Sequence, residues 1–183
     1  MTYTIPNILT LIRIALIPLL FIVYLSPLEW AMPMAAIIFA LAGITDMLDG
    51  YLARKLDQIS SFGAFLDPVA DKLIVACALV LIIYKHPSLY ILIPALIIIG
   101  REIAVSALRE WMSELGKRNT VAVSFLGKIK TTLQIIAILF LLWYHPIFGL
   151  PTFLLGQWLL AIAAVLTVLS MVDYLRAALR ESD

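Results

Sequence analysis

Long apolar runs, separated only by short polar connections, make up almost all of this 183-residue chain. Hydrophobic residues account for 63% of it and charged residues for 14%. A soluble domain averages roughly 45–50% apolar and 25% charged residues. Because about 20 apolar residues in a helix cross a bilayer, the chain has room for six spans and little else. The sequence therefore predicts an all-α polytopic membrane protein in which residues 1–183 form a single transmembrane domain.

The first span is preceded by a short interfacial segment, residues 2–13, and we expect this span to be retained rather than cleaved as a signal. Asn7, Thr10 and Arg13 in that segment share one side of a helix. Cys77 is the only cysteine, which excludes an intrachain disulfide. The first span is predicted to end near Leu25, and the other five to cover residues 34–54, 62–84, 89–108 or beyond, 121–144 and 152–175.

Four carboxylates interrupt the second and third spans within 26 positions: Asp46, Asp49, Asp67 and Asp71. An ionisable group at membrane depth costs roughly 2.5–3.5 kcal/mol, so four unpaired carboxylates would cost on the order of 10 kcal/mol. Each pair has the spacing that places neighbouring side chains on one helix face. A polar turn over residues 56–61 would let the two faces oppose each other across a cleft. An all-oxygen site of this kind favours Mg²⁺, Mn²⁺ or Ca²⁺ over zinc.

Small residues lie on the same helix faces as the carboxylates. Gly50, Ala53 and Gly63 leave room for a close helix crossing or for a flat ligand that approaches the backbone. This favours a binding site over the alternative of purely structural ion pairs. In that alternative, the aspartates would be neutralised by nearby basic residues, namely Arg54, Lys55, Lys72 and Arg101.

The basic residues are distributed unevenly between the two sides of the predicted bundle. When the loops are assigned alternately to the two sides, all but Lys85 of the thirteen Lys and Arg residues lie on one side. The positive-inside rule predicts that this side, with both termini, is cytoplasmic. Counting residues along the helices places Arg101 and Lys130 in the same inner-leaflet layer as the aspartates.

The spacing of the acidic stretch resembles a known family signature. Asp46-x2-Asp49-Gly50-x2-Ala53-Arg54-x8-Gly63-x3-Asp67-x3-Asp71 is similar, position for position, to that of the CDP-alcohol phosphotransferase family of membrane phospholipid synthases. Residues 5–13, 62–72, 100–118 and 127–132 extend the resemblance to members that act on glycerol 3-phosphate. The resemblance implies transfer of the phosphatidyl group from CDP-diacylglycerol to the 1-hydroxyl of sn-glycerol 3-phosphate, with release of CMP.

The same resemblance implies roles for individual residues. Asp46, Asp49 and Asp67 would hold divalent metal at the pyrophosphate, as two Mg²⁺ or Mn²⁺ ions, and Asp71 would be the general base that also approaches the metal. It further implies a homodimer in the bacterial inner membrane, with membrane lipids as partners and no nucleic acid. The cytidine and pyrophosphate pocket would be lined by Gly50, Ala53, Arg54 and Gly63, with Asn7, Thr10 and Arg13 as further contacts.

A phosphorylated acceptor needs fixed cations of its own. Arg101, Arg109 and Lys130 lie on the cytoplasmic halves of the fourth and fifth spans, where they would face the aspartate layer. Within the family, serine or inositol phosphate is an alternative acceptor, although serine would leave a phosphate-binding cluster unexplained. From other classes, a divalent-cation transporter or a membrane prenyltransferase would also place carboxylates in a membrane. The first needs a route to the far side, and the second resembles larger bundles with separated aspartate motifs.

Overall fold

The computed structural model describes residues 5–55, 61–114 and 125–182. Of the turn predicted at residues 56–61, residues 56–60 lie outside these ranges, whereas Ser61 is the first residue of a helix. The predicted start of the fifth span at 121–124 also lies outside them. The only pairing between extended segments within the described ranges is an isolated bridge from Ile147 to Leu150. The predicted all-α class is therefore confirmed. The described residues form six helices: α1 (Ile5–Leu25), α2 (Ala31–Lys55), α3 (Ser61–Lys85), α4 (Leu89–Glu114), α5 (Phe125–Trp143) and α6 (Thr152–Ser182).

The apolar composition of the helices confirms a polytopic membrane protein. Among the described residues, four stretches are long and apolar enough to cross a bilayer: Pro6–Leu25, Ala31–Asp49, Leu89–Met112 and Thr152–Val172. The described part of α5 has a shorter apolar stretch, Ile129–Trp143. The first half of α3 contains three charged residues, Asp67, Asp71 and Lys72, which lower its hydropathy. That α3 and α5 also cross the membrane stays a prediction.

The helix bounds differ from the predicted spans mainly at polar ends. The segment predicted to be interfacial is continuous with α1 from Ile5 onwards. Helix α4 continues to Glu114, in agreement with the predicted end at 108 or beyond, and α6 continues to Ser182, past the predicted end at 175. Charged and alanine-rich turns continue a helix without any hydropathy signal, because Ala, Arg and Glu are all good helix formers.

Helix α1 packs against both α2 and α3, and these two helices contact each other less than each contacts α1. Helix α5 packs mainly against α6 and also contacts α2, while α4 packs on α6. Small residues are frequent among the buried positions and let the helix backbones approach closely. Buried alanines occur in five of the helices: Ala35, Ala42, Ala78, Ala95, Ala137 and Ala164.

The α5–α6 contact depends on one glycine. A Cβ atom at Gly156 would lie 2.8 Å from Cγ of Leu141 and 3.1 Å from the carbonyl oxygen of Ala137. Both distances are shorter than ordinary van der Waals contact, and the carbonyl belongs to a helix backbone that cannot easily move. The absence of a side chain at Gly156 therefore sets how closely α6 approaches α5, the helix that carries Lys130.

An aromatic cluster closes the end of the bundle opposite the carboxylates. The ring of His86, just after α3, stacks on Tyr144 at a centroid distance of 4.6 Å and meets Phe153 edge-on at 5.0 Å. Tyr144 and Phe148 have positive φ angles of 65° and 50°, and Gly149 has 79°. The chain thereby reverses within the few residues between α5 and α6.

Candidate active site

Three polar side chains on the first turns of α1 are buried in the bundle. Asn7 is 6% exposed, and Thr10 and Arg13 are fully buried. Their spacing of three residues keeps them on the side of α1 that faces α2 and α3. Buried polar groups persist when they find hydrogen-bonding or charged partners. Thr10 and Arg13 find theirs among the aspartates of α2 and α3.

Arg13 forms ion pairs with both aspartates of α2. Its Nη1 lies 2.8 Å from Oδ1 of Asp46, and its Nη2 donates a hydrogen bond to Oδ2 of Asp49. Asp49 is buried, whereas the Asp46 side chain is 44% exposed. Removing one partner of a buried ion pair typically costs about 3–5 kcal/mol, so Arg13 ties α1 firmly to α2.

The sequence alone pointed to different partners for these charges. The structural ion-pair alternative named basic residues on α2, α3 and α4, whereas Asp46 and Asp49 pair with an arginine of α1. The resemblance placed Asn7, Thr10 and Arg13 at the cytidine and pyrophosphate, and that role stays a prediction. What the structure adds is their contact with the carboxylates.

Thr10 makes the corresponding contact with α3. Its hydroxyl hydrogen-bonds Oδ1 of Asp67 and also lies 3.1 Å from the carbonyl oxygen of Pro6. Asp71, one turn further along α3, has an exposed side chain and interacts electrostatically with Asp46 and Arg13. Helix α1 therefore joins the two carboxylate pairs, and all four predicted aspartates lie at one end of the bundle.

The donor set suits a hard divalent cation in its chemistry, because all four carboxylates offer oxygen ligands. In this arrangement no three Asp, Glu, His or Cys side chains of the described residues are grouped closely enough to hold one cation. Arg13 engages Asp46 and Asp49, and Thr10 engages Asp67. Chelation therefore requires these oxygens to be shared with, or exchanged from, their α1 partners, and the predicted metal ligands stay a prediction.

A second charged cluster links α4 and α5. Nη1 of Arg101 donates to Oε1 of Glu102 at 2.8 Å, and Nζ of Lys130 lies 3.8 Å from the same oxygen. Arg101 and Lys130 are 7% and 3% exposed. Glu102 also interacts electrostatically with Asp71 of α3. The cluster therefore lies at the same end of the bundle as the carboxylates.

Glu102 is not among the site residues predicted from the sequence. The signal for it was present, since an acidic residue inside an apolar helix needs a cationic partner. Ser106 Oγ donates to the Glu102 backbone carbonyl at 2.5 Å, one helical turn away.

Several predicted site residues fall outside the described side chains: Gly50, Ala53, Arg54 and Arg109. Their backbones belong to α2 and α4. Gly63 is buried in the first turn of α3.

The sequence profile described as CDP-alcohol phosphatidyltransferase matches residues 3–169, from the start of α1 to well inside α6. The chain belongs to the CDP-alcohol phosphatidyltransferase family. This confirms the resemblance found in the signature between Asp46 and Asp71. Enzymes of this family generally depend on a divalent metal. The chain is thus a membrane transferase of phospholipid synthesis.

Relatives of known name match the chain over almost its full length. A protein of Salmonella choleraesuis (strain SC-B67) is 51% identical over 178 residues, which cover 97% of this chain and 96% of the relative. Proteins of Escherichia coli (strain K12) and Shigella flexneri are 50% identical with the same coverage. All three are named CDP-diacylglycerol–glycerol-3-phosphate 3-phosphatidyltransferase.

Proposed function

We propose that this chain transfers the phosphatidyl group of CDP-diacylglycerol to sn-glycerol 3-phosphate, giving phosphatidylglycerophosphate and CMP. The observation that carries the proposal is the buried pair of cations, Arg101 and Lys130, which both approach Oε1 of Glu102. Fixed buried cations suit a phosphate group, and this pair lies at the end of the bundle where the carboxylates are. The names of the relatives support the same pair of substrates.

On the donor side, the carboxylates would hold the divalent metal and the pyrophosphate that it neutralises. Asp46, Asp49 and Asp67 are the proposed ligands of two Mg²⁺ or Mn²⁺ ions. Bound metal would stabilise the charge that develops on the leaving CMP. The cytidine and phosphate pocket is proposed to be lined by Gly50, Ala53, Arg54 and Gly63, with Asn7, Thr10 and Arg13 nearby.

On the acceptor side, Asp71 is the proposed general base. Its side chain is exposed, and it lies one helical turn from Asp67. It would take the proton of the 1-hydroxyl as that oxygen attacks the phosphorus of the phosphatidyl group and the bond to CMP breaks in line. Arg101 and Lys130, with Arg109, would hold the acceptor phosphate so that the hydroxyl reaches the phosphorus.

The membrane setting follows from the charge distribution. Because all but one of the basic residues lie on the predicted cytoplasmic side, we propose that the site opens to the cytosol from a bacterial inner membrane. Water-soluble glycerol 3-phosphate would then reach the site from the cytosol, while CDP-diacylglycerol would enter from the surrounding lipid. The chain is proposed to work as one transmembrane domain within a homodimer.

An acceptor panel tests the proposal. Purified protein in detergent is supplied with CDP-diacylglycerol, Mg²⁺ and one acceptor: sn-glycerol 3-phosphate, serine or inositol phosphate. CMP release is then measured. We expect release with glycerol 3-phosphate, loss of release with EDTA, and no release with serine. Release with serine but not with glycerol 3-phosphate would contradict the proposed acceptor.

A further inference from the structure

We propose that Arg13 couples divalent-cation binding to donor binding, so that the carboxylates hold the cation tightly only when a pyrophosphate is present. The inference rests on the proposed function, because it takes Asp46 and Asp49 to be metal ligands. It goes beyond the pyrophosphate contact that the resemblance implies for Arg13, because it gives Arg13 control over the affinity of the carboxylates for the cation. Arg13 would contact both the carboxylates and the pyrophosphate.

The contacts of Arg13 already satisfy part of the carboxylate charge. Two nitrogens of one fully buried guanidinium engage one oxygen each of Asp46 and Asp49. The guanidinium of arginine is a cation in proteins. The backbone of Arg13 is fixed in α1, which packs against both α2 and α3. The guanidinium is therefore a permanent positive charge at the two oxygens that a divalent cation would use.

Arg13 would weaken the binding of a cation by Asp46 and Asp49 in two ways. The cation competes with the guanidinium for the same carboxylate lone pairs, and it is repelled by a like charge within a few ångströms. Both effects lower the affinity for the cation alone. A pyrophosphate changes this balance, because its oxygens accept hydrogen bonds from a guanidinium and also ligate the cation.

Arg13 also retains a donor for such a ligand. Its Nε is buried and has no hydrogen-bond acceptor among the described residues. A buried donor without an acceptor is unfavourable, and a phosphate oxygen would satisfy it. Binding linkage then requires reciprocity: the pyrophosphate raises the affinity for the cation by the same factor by which the cation raises the affinity for the pyrophosphate.

The test measures Mn²⁺ binding directly rather than turnover. Free Mn²⁺ is followed by electron paramagnetic resonance during titration of the purified protein, with and without CDP as the soluble pyrophosphate probe. Protein-free titrations correct for the complex that Mn²⁺ and CDP form in solution. For the wild type, CDP should lower the Kd for Mn²⁺ by about tenfold or more, within the usual range of coupling between two sites. Equal affinity with and without CDP would overturn the proposal without any variant.

Two substitutions at the same position separate charge from packing. Arg13→Gln removes the charge, so Mn²⁺ alone should bind about tenfold more tightly than to the wild type, and CDP should raise that affinity by a smaller factor than in the wild type. Arg13→Lys keeps the charge and should keep the effect of CDP. Mn²⁺ affinity that is unchanged in Arg13→Gln would overturn the coupling.

Thermal stability distinguishes this role from a structural one. Arg13→Gln leaves two carboxylates without their cation, so its melting temperature in EDTA should fall below that of the wild type. Mn²⁺ should then raise the melting temperature of Arg13→Gln by more than it raises that of the wild type, because the ion replaces the missing positive charge. A fall that Mn²⁺ does not restore would assign Arg13 to the fold alone. Failure of the proposed function would be seen in a different measurement, because the wild type would then release no CMP with glycerol 3-phosphate.

Discussion

Replacing Thr10 by valine tests whether α1 positions a proposed metal ligand. Valine keeps the shape of threonine and loses the hydroxyl that hydrogen-bonds Oδ1 of Asp67. A hydrogen bond to a charged group contributes about 1.5–3 kcal/mol. The same hydroxyl also lies 3.1 Å from the carbonyl of Pro6, and its single proton cannot serve both acceptors fully. We therefore take the lower value, about 1.5 kcal/mol, which corresponds to roughly a tenfold change in an equilibrium constant.

The expected change lies in the metal dependence of the reaction. Loss of a hydrogen bond to a metal-ligating group typically lowers metal affinity by about 10–100-fold. The initial rate of CMP release is measured against Mg²⁺ concentration with both substrates saturating. For Thr10→Val, the Mg²⁺ concentration at half-maximal rate should rise about tenfold, with a smaller change in the rate at saturating Mg²⁺.

Thr10→Ser is the matched control. It keeps the hydroxyl and loses one buried methyl group, so it should retain the Mg²⁺ dependence of the wild type. Melting temperatures of both variants show how much packing each substitution disturbs. An unchanged Mg²⁺ dependence in Thr10→Val, or an equal shift in both variants, would refute the argument that the hydroxyl orients Asp67.

Gly156→Ala should lower the melting temperature, since overpacking costs about 1–3 kcal/mol, whereas Gly43→Ala, whose new methyl group meets no atom within 4 Å, should not. Equal effects of the two substitutions would contradict the packing of α5 on α6. Asp71→Asn is expected to abolish CMP release while CDP-diacylglycerol still binds in an equilibrium assay, and normal turnover would exclude Asp71 as the base. Lys130→Ala should chiefly raise the KM for glycerol 3-phosphate, and an unaltered KM would exclude it from the acceptor site. Burial lowers the pKa of His86 below its ordinary value of 6.5, so the unfolded chain takes up a proton at higher pH than the folded one. The neutral His86 ring therefore contributes to the stability of the folded protein above about pH 6.5, and this contribution is lost as the pH falls towards the pKa of His86 in the folded protein. The melting temperature of His86→Phe should consequently fall less on acidification than that of the wild type.

The spans and the carboxylate site were predictable because both are encoded locally. Apolar runs and their polar interruptions mark helices by composition alone, and spacings of three and four residues place Asp46 beside Asp49, and Asp67 beside Asp71, on helix faces. Helix ends were less predictable. The last turns of α4 and α6 mix charged residues with apolar ones, so hydropathy does not record where these helices stop.

The partners of the carboxylates were not predictable, because they come from distant parts of the chain. Arg13 lies 36 residues before Asp49, and Thr10 lies 57 residues before Asp67. No periodicity reports such contacts, which depend on how α1 packs against α2 and α3. The contact between Lys130 and Glu102 could not be predicted for the same reason. Arg101 and Lys130 were predicted as phosphate ligands, but only the fold brings Lys130 of α5 close to the carboxylate of Glu102 on α4.

The central claim is that the polar ends of α1, α2 and α3 form the site of metal and donor pyrophosphate. The most direct test is to locate Mn²⁺ by its anomalous scattering in crystals of the protein with CDP-diacylglycerol. We expect anomalous peaks between the carboxylates of α2 and α3, within ligand distance of Asp46, Asp49 and Asp67. Ordered CDP-diacylglycerol with Mn²⁺ bound at other residues, and none at these aspartates, would contradict this claim.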